Sequence, residues 1–401
     1  MKNYKYEIIW ERNYNDGYGN CRVAVDSKDN IIVCGVDKEY RGLIIKYDKD
    51  GNLLWSDSTS LKLYFPSQNY LKRPFNVDKF LSKGFGSLLD VKIDSKDNII
   101  AVGSFYDKSG KYCTAYIKKY SKDGSPLWEK TYAPFLYTQA PALAIDKSDN
   151  IFVAGFGGRI VPPSVNGFVM KISKNDGSII WNRKCWKMGK YTGYTSLAVF
   201  ENDIFCAGFV AKDDYSIIIS NFDKFGIEKN EKIFNLRVLP CKIFFDGNIF
   251  ICGQFEDASY KHYIAKISRN FNIIWEKIGI EGWLYDLSLM RNGNIAATGK
   301  INKNEYYAAL YDGWGNLLLD AYLGKLVSNG NDINDWMKGI INDSEDNLII
   351  VGGAPIAKTI KARVGLEEKK EKKSKFLDFI KKLFGIKERL EDILKHQERI
   401  A

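Results

Sequence analysis

Residues 30–55 read NIIVCGVDKEYRGLIIKYDKDGNLLW. Three short apolar runs, Ile31–Cys34, Leu43–Ile45 and Leu53–Trp55, alternate with polar turns. Such runs are too short for globular helices and rich in β-branched residues, so they read as strands. The Asp50-Gly51 pair suits a tight hairpin turn between the second and third runs. The phrase recurs along the chain. A turn ending in Asn or Asp, then four mostly apolar residues and a glycine, appears as NIIVCG, NIIAVG, NIFVAG, DIFCAG, NIFICG, NIAATG and NLIIVG. These close on Gly35, Gly103, Gly155, Gly208, Gly253, Gly299 and Gly352, which lie 68, 52, 53, 45, 46 and 53 residues apart. That is the roughly 40 to 50 residue period of propeller blades, with insertions, and the seven copies imply seven blades.

Each copy is followed by a second run and a turn closing on an aromatic strand, as in AYIKKYSKDGSPLW and FVMKISKNDGSIIW. The strand-final tryptophans are Trp55, Trp128, Trp181 and Trp275, with Asn230 and Leu319 in the same slot of two weaker copies. The seventh copy lacks that closing strand, and YEIIWERNY, with Trp10, supplies it from the other end of the chain. Residues 5–13 are therefore expected to be the outer strand of the last blade, removing the exposed edges of an open ring. Segments such as CRVAVD, LLDVKID and KGIIND precede each NII-type strand and supply the inner strand. The expected fold is an all-β, seven-bladed β-propeller over residues 1–363, closed by the N-terminal strand.

These motifs resemble the seven-bladed propeller repeat family called SBBP over about residues 5–363, a likeness that implies the fold and is nearly silent on activity. The D-G-x-x-x-W element is also similar to the tryptophan-docking repeat of quinoprotein dehydrogenases. That enzyme family implies eight blades and adjacent cysteines, neither of which this sequence offers.

The chain has 401 residues, 45% hydrophobic and 27% charged, with a net charge of +10, which is globular composition and excludes a wholly disordered or multi-span membrane chain. Only two histidines occur, His262 and His396, leaving little room for a multi-histidine metal site or a His-based triad. The seven cysteines form no CxxC pair and are odd in number, so reduced thiols in a cytoplasmic protein are expected, with Cys34, Cys206 and Cys252 as small buried hydrophobes. The N-terminus carries charges where a signal peptide needs an apolar run. No stretch approaches the roughly 20 apolar residues of a membrane helix. No cofactor or metal is expected. DKDGN at 48–52 and KDGS at 122–125 look like calcium loops, but the closing bidentate Glu is missing and hairpin turn chemistry explains them.

Aligning the inner strands places Arg22, Asp90 and Asp286 at one offset near the central channel. Paired carboxylates there could do acid–base work in an enzyme; an ion pair between Arg22 and Asp90 is the favoured structural account. The hairpin turns share one propeller face and are short, whereas the opposite face carries loops of irregular length, where binding usually resides. Two of these loops interleave aromatic and basic residues: Tyr64, Phe65, Tyr70, Lys72, Arg73 and Phe75 in one, Arg183, Lys184, Trp186 and Lys187 in the other. They fit anchors of a protein interface, or base stacking and phosphate neutralisation on nucleic acid, or simply solvated loops.

The tail differs in kind. From residue 361 there are 13 Lys plus Arg against 8 Asp plus Glu, half of the chain's net charge. Residues 364–375 read as a charged linker. Residues 376–401 read as an amphipathic α-helix with a seam of Phe376, Phe379, Leu383, Ile386, Leu390 and Ile393, suited to partner binding or self-association, to docking on the propeller, or to a membrane surface. The expected role is a non-enzymatic interaction scaffold, with the loop face binding a protein partner and the helix tethering it; an enzyme with a channel-mouth site is the alternative.

Overall fold

The structure, a computed structural model, describes residues 4–62, 88–106, 113–159, 164–187, 190–211, 215–255, 261–301, 305–325, 337–353 and 357–366. Every regular element among them is a strand. Tyr6–Val364 form one compact unit; Met1–Lys5 with Gly365–Ala401 form a second, described only at residues 4–5 and 365–366. The expected linker at 364–375 lies almost wholly outside the described residues, as do the tail helix and the loop residues Tyr64, Phe65, Tyr70, Lys72, Arg73 and Phe75.

After β1 (Tyr4–Tyr14), antiparallel four-stranded blades follow in order. The first comprises β2 (Gly17–Val25), β3 (Ile31–Asp37), β4 (Arg41–Tyr47) and β5 (Leu53–Lys62). Next come β6 (Leu88–Ile93), β7 (Ile99–Tyr106), β8 (Cys113–Tyr120) and β9 (Pro126–Tyr132), then β10 (Tyr137–Ile145), β11 (Ile151–Arg159), β12 (Ser164–Ile172) and β13 (Ile179–Cys185). A single parallel pairing of Tyr137 with Cys113 links these two blades into one sheet. β14 (Tyr191–Phe200), β15 (Asp203–Ala211), β16 (Tyr215–Asp223) and β17 (Glu228–Phe234) make another blade. Beyond it lie β18 (Val238–Phe245), β19 (Asn248–Phe255) and β20 (Lys261–Ser268), completed by the long β21 (Ile273–Leu289). β21 is an outer strand against β20 over its first half and, without a break, the inner strand paired with β22 (Ile295–Ile301) over its second. β23 (Glu305–Tyr311) and β24 (Leu317–Lys325) finish that blade. Last are β25 (Met337–Asn342), β26 (Leu348–Gly352) and β27 (Ala357–Leu366), and the fourth strand of their sheet is β1, beside β27.

The middle strands are buried on both faces, β15 throughout its length, because each blade packs its two faces against its neighbours. Hence they read as continuous apolar runs rather than alternating ones. One core cluster joins Ile100, Val102 and Ile117 of β7–β8 to Leu143, Val153, Phe168 and Met170 of β10–β12.

The tryptophans singled out in the sequence tie blade to blade. Trp55 lies over Gly124 in the following hairpin, so that a Cβ on that glycine would come within 2.9 Å of the indole, and Gly124 itself has φ +91°. Trp10 covers Gly51 in the same way, as do Trp128 over Gly177, Trp181 over Gly226 and Trp275 over Gly315. The indole N–H of Trp10 donates to Lys49 O (3.2 Å), that of Trp128 to Lys174 O (3.3 Å) and that of Trp181 to Lys224 O (3.1 Å). Two residues on, a basic side chain adds a second tie: Arg12 Nε to Gly51 O at 2.8 Å and Arg183 Nε to Gly226 O at 3.0 Å.

The weak copy obeys the same geometry in reverse. Where Asn230 stands in the tryptophan slot, the glycine of the next hairpin is Phe271, buried at φ +60° and packed with Phe205 and Phe245. Lys232 still donates to Phe271 O at 2.8 Å. The aromatic volume is conserved while its source changes sides. Replacing Phe271 by Gly should cost about 3 to 5 kcal/mol, and Asn230→Trp alone should also destabilise by clash with the phenyl ring. The double variant should recover at least about 1 kcal/mol of the sum; strictly additive denaturation midpoints would contradict this reading.

Candidate functional site

Every inner strand breaks register near the axis: between Asn20 and Arg22, Leu88 and Asp90, Gln139 and Ala142, Tyr194 and Ser196, Pro240 and Lys242, Leu284 and Asp286, and Met337 and Gly339. Such bulges re-aim the side chain that follows them. Here they bring Arg22, Asp90, Ser196, Lys242 and Asp286 to one level of adjacent inner strands.

The sequence expectation of an Arg22–Asp90 pair is corrected by this geometry. Arg22 Nε lies 3.7 Å from Asp286 Oδ2, and its other nitrogens donate to the carbonyls of Cys21, Lys338 and Tyr285. Asp90 instead takes Lys92 at 3.2 Å and Lys242 at 3.6 Å. These pairs join β2 to β21 and β6 to β18, strands of blades that are not neighbours in the chain. The bulge aims Arg22 toward β21 and β25, where two further carbonyls wait for a planar five-donor group.

Each carboxylate also accepts backbone donors from the next inner strand. Asp90 Oδ2 takes Leu143 N at 3.1 Å and Oδ1 takes Val91 N at 2.9 Å. Asp286 Oδ2 takes Ile340 N at 3.1 Å and Oδ1 takes Leu287 N at 3.0 Å. Ser196 Oγ plays the same part toward Ile243 N at 3.0 Å. Burial raises the Asp90 pKa, but Lys242, Lys92 and Arg22 outweigh it and hold the carboxyl down at about 2. Burial pulls Lys242 below the usual lysine range against the opposing pull of Asp90, and Arg22 is raised because Asp286 and Asp90 outweigh its burial. A carboxylate held ionised, with both oxygens engaged, is a poor general acid or base. The arrangement is an electrostatic tie across the axis. Lys242 stands at the same offset in CKIFF, four residues before the turn at Asp246, as Arg22, Asp90 and Asp286 do in their strands, so the same alignment places it at this level.

Arg183 and Lys184, expected in an irregular loop, lie instead on β13, paired with Val169 and Phe168 of β12, and the described residues of this segment separate into different roles. Arg183 turns to the neighbouring hairpin and lies over Trp181, 5.7 Å from the ring centroid. Lys187 pairs with Glu231 at 2.7 Å, and that pairing raises its pKa against the effect of burial. Lys184 sits 4.9 Å from the Phe135 ring centroid. Trp186 is 64% exposed and Leu136, on the loop before β10, is 57% exposed. Asp48 of the calcium-like loop spends its carboxylate on Asp50 N, Asn52 N and Asn52 Nδ2, as an Asx turn does. Cys34, Cys206 and Cys252 are buried in strands, and burial pushes their thiols well up.

His262 is buried, stacked on Tyr307 with ring centroids 5.7 Å apart, and burial lowers its pKa to about 4. Gly279 lies directly over this imidazole, leaving no room for a Cβ.

With this geometry in view, the solved structures that the chain resembles are informative about fold. The WD40 beta propeller domain of Doa1 matches with a TM-score of 0.55 at 14% identity, covering 90% of this chain and 97% of that one. The Dos1 propeller matches with a TM-score of 0.51 at 11% identity, covering 91% and 88%. The chain is a WD40-like β-propeller in fold. No family model matches it, and no curated protein sequence does, so the SBBP likeness stands on the repeat motifs alone. Among the described residues no helix is long and apolar enough to cross a membrane, and no group of three His, Cys, Asp or Glu is placed to hold a metal.

Truncating Asp286 to Ala leaves the Arg22 guanidinium buried without its carboxylate and should cost about 3 to 5 kcal/mol. The Arg22→Met, Asp286→Leu double variant should be markedly less destabilised by urea titration. Acid acts in two windows. The depressed His262 pKa means the unfolded chain binds the extra proton first, so that contribution is complete above pH 6.5 and is lost as pH falls toward about 4, a loss of about 3 kcal/mol. The depressed Asp90 pKa gives stability that persists to about pH 4 and disappears toward pH 2. His262→Asn should flatten the first window in urea midpoints and leave the second; an unchanged profile would refute the assignment.

Proposed function

We propose that this protein is a non-enzymatic interaction scaffold: a seven-bladed propeller, closed by its N-terminal strand, whose irregular loop face binds a protein partner. Seven glycine-closed repeats in the sequence and the position of β1 beside β27 support the closed ring. The observation that carries the functional reading is the contrast between the two surfaces. At the axis, the carboxylates an enzyme would need are saturated by backbone donors and cations. On the loop face, Trp186 and Leu136 stand exposed, with Lys184 held nearby over Phe135. Exposed aromatic and aliphatic anchors beside a cation are what protein interfaces reuse as hot spots. WD40-type propellers, which the fold resembles, serve as protein-binding platforms in general, which supports the same reading.

The tail over 376–401 is, on this reading, an amphipathic helix that associates with a second partner or another copy through Phe376, Phe379, Leu383, Ile386, Leu390 and Ile393. The charged segment 364–375 then acts as its linker.

The test uses the full chain as bait and compares it with three variants. A partner recovered by the full chain should be bound at least about tenfold more weakly, roughly 1.4 kcal/mol, by the Trp186→Ala, Leu136→Ala variant, with thermal midpoint unchanged. Asp90→Asn should leave partner binding intact despite lower stability. A chain ending at Gly365 should keep the loop-face partner and lose any tail-dependent one; equal binding by the Trp186 variant would reject the loop face.

A further inference from the structure

The hairpins at the outer ends of the inner strands are chained together by a repeated lock. Ser27 donates its N–H (3.0 Å) and its hydroxyl (2.7 Å) to the carboxylate of Asp97 in the next blade. Ser95 does the same to Asp149 at 2.8 and 2.7 Å, and Ser344 to Asp29. Arg291 N donates to Asp346 at 3.0 Å. The accepting aspartates all sit at φ near +60°. A second lock ties the third strand to its own blade's turn: Lys46 to Asp26 at 2.9 Å, Lys119 to Asp94 at 2.8 Å and Lys361 to Asp343 at 2.8 Å.

Both locks are missing where the β10–β13 blade meets the β14–β17 blade. The serine position is Lys147, and the facing turn offers Glu201 and Asn202 in place of the accepting aspartate. Lys171 holds the register of Lys46 and Lys119, opposite the blade's tryptophan, yet makes no ion pair among the described residues. Its Nζ lies 5.4 Å from the Phe152 ring centroid. The carboxylate of Asp146, its counterpart, accepts from Ser148 N, Asn150 N and Asn150 Nδ2, as Asp26 and Asp94 accept from their own turns in the locked blades, but Lys171 is turned to Phe152 instead of to it.

A cleft of about 330 Å³ occupies this joint. Lys147, Lys171 and Lys224 line it against Glu201 and the internally bonded Asp146, and Phe152 with Val199 supplies apolar wall. The volume falls at the low end of small-ligand sites, about 300 to 1,000 Å³. We infer that the cleft between these two blades is a binding site for a carboxylate carried on an apolar body, with the carboxylate on the Nζ of Lys171.

This site is on the hairpin face, opposite the loop face proposed for the partner, and does not depend on that reading. Lys171 provides the charge, Phe152 and Val199 the contact for the body of the ligand, and Lys147 and Lys224 the surrounding positive field. Two sources share this chemistry, a free aryl carboxylate and the acidic side chain of a peptide.

Titration of the full-length protein with naphthalene-2-carboxylate, followed by ligand fluorescence, should show saturable binding and a raised thermal midpoint. Naphthalene-2-carboxamide, the same body without the charge, should bind at least tenfold more weakly. Lys171→Met, which keeps the aliphatic packing on Phe152, should weaken the carboxylate at least tenfold. Acetyl-Phe-Glu-amide as a third probe separates the sources: tighter binding than the naphthoate supports the site with a peptide ligand, weaker binding supports it with a free one. Absence of saturation by both carboxylates, equal affinity for the carboxamide, or an unaltered Lys171→Met affinity would overturn the assignment. If that variant does not fold, the carboxylate against carboxamide comparison on the native protein decides.

Discussion

The contact on which the architecture depends is an indole lying flat on a glycine of the next blade. It constrains both partners at once. The tryptophan can lie there only if the hairpin residue has no Cβ and accepts a positive φ, which glycine does without strain. For Trp10, Trp128, Trp181 and Trp275 a hairpin carbonyl then meets the indole N–H, so the contact is directional as well as apolar, whereas that of Trp55 is apolar alone. Because the outer strands that carry a tryptophan grip the following blade's hairpin, the spacing between those sheets is fixed locally, as in repeat proteins whose stability is a sum of neighbour terms. Trp10 on Gly51 is the same contact made from the first strand of the chain. β1 thus serves its neighbour as the other outer strands serve theirs, whatever its distance in sequence.

A second layer of constraint is electrostatic and sits at the axis. Burying Arg22, Asp90, Lys242 and Asp286 carries a desolvation penalty that ion pairing alone seldom repays. The backbone donors of Leu143 and Ile340 change the balance, since each carboxylate accepts from the adjacent inner strand as well as from a cation. The bulges make this possible by turning the charged residue away from its own sheet. Apolar residues of equal volume would fill the space but would not fix which inner strand faces which. The charges supply specificity of arrangement, and the outer tryptophans supply the spacing.

The repeat was legible because strand, turn and aromatic residue recur in fixed order, and the buried faces of the middle strands leave continuous apolar runs. Even the exceptions, Asn230 and Leu319, were visible as departures in the tryptophan slot. What Asn230 meant was not visible, since its compensation, Phe271, is some forty residues away in a turn that reads as an ordinary SRNFN. The axial level was legible for Arg22, Asp90 and Asp286, but their partners were not. Alignment gives the height of a residue on its strand, whereas a bulge sets the direction in which it points, and no local pattern in CRVAV or LPCKIFF announces that bulge. Arg183 reads in the sequence as a cation of a basic aromatic segment, and the structure places it two residues past a tryptophan, where Arg12 stands elsewhere, donating to the next hairpin.

These observations also rank the joints between blades. The joints spanning Ser27–Asp97 and Ser95–Asp149 carry tryptophan, serine lock and buried lysine pair together. The joint after β13 keeps Trp181 and Arg183 on the next hairpin but has neither lock on its turns. Local opening in native proteins concentrates where few buried ties cross a boundary. A fold built from identical joints would have no preferred place to open; here the joint after β13 lacks two of these ties and the joint after β17, with Asn230, Asn221 and Gly247 in their places, lacks all three, while at the former Lys171 makes no ion pair among the described residues. Since Phe152 and Val199 already make the adjoining wall apolar, the departure from the repeat creates a concave, positively charged surface at no cost to the strand pairing on either side.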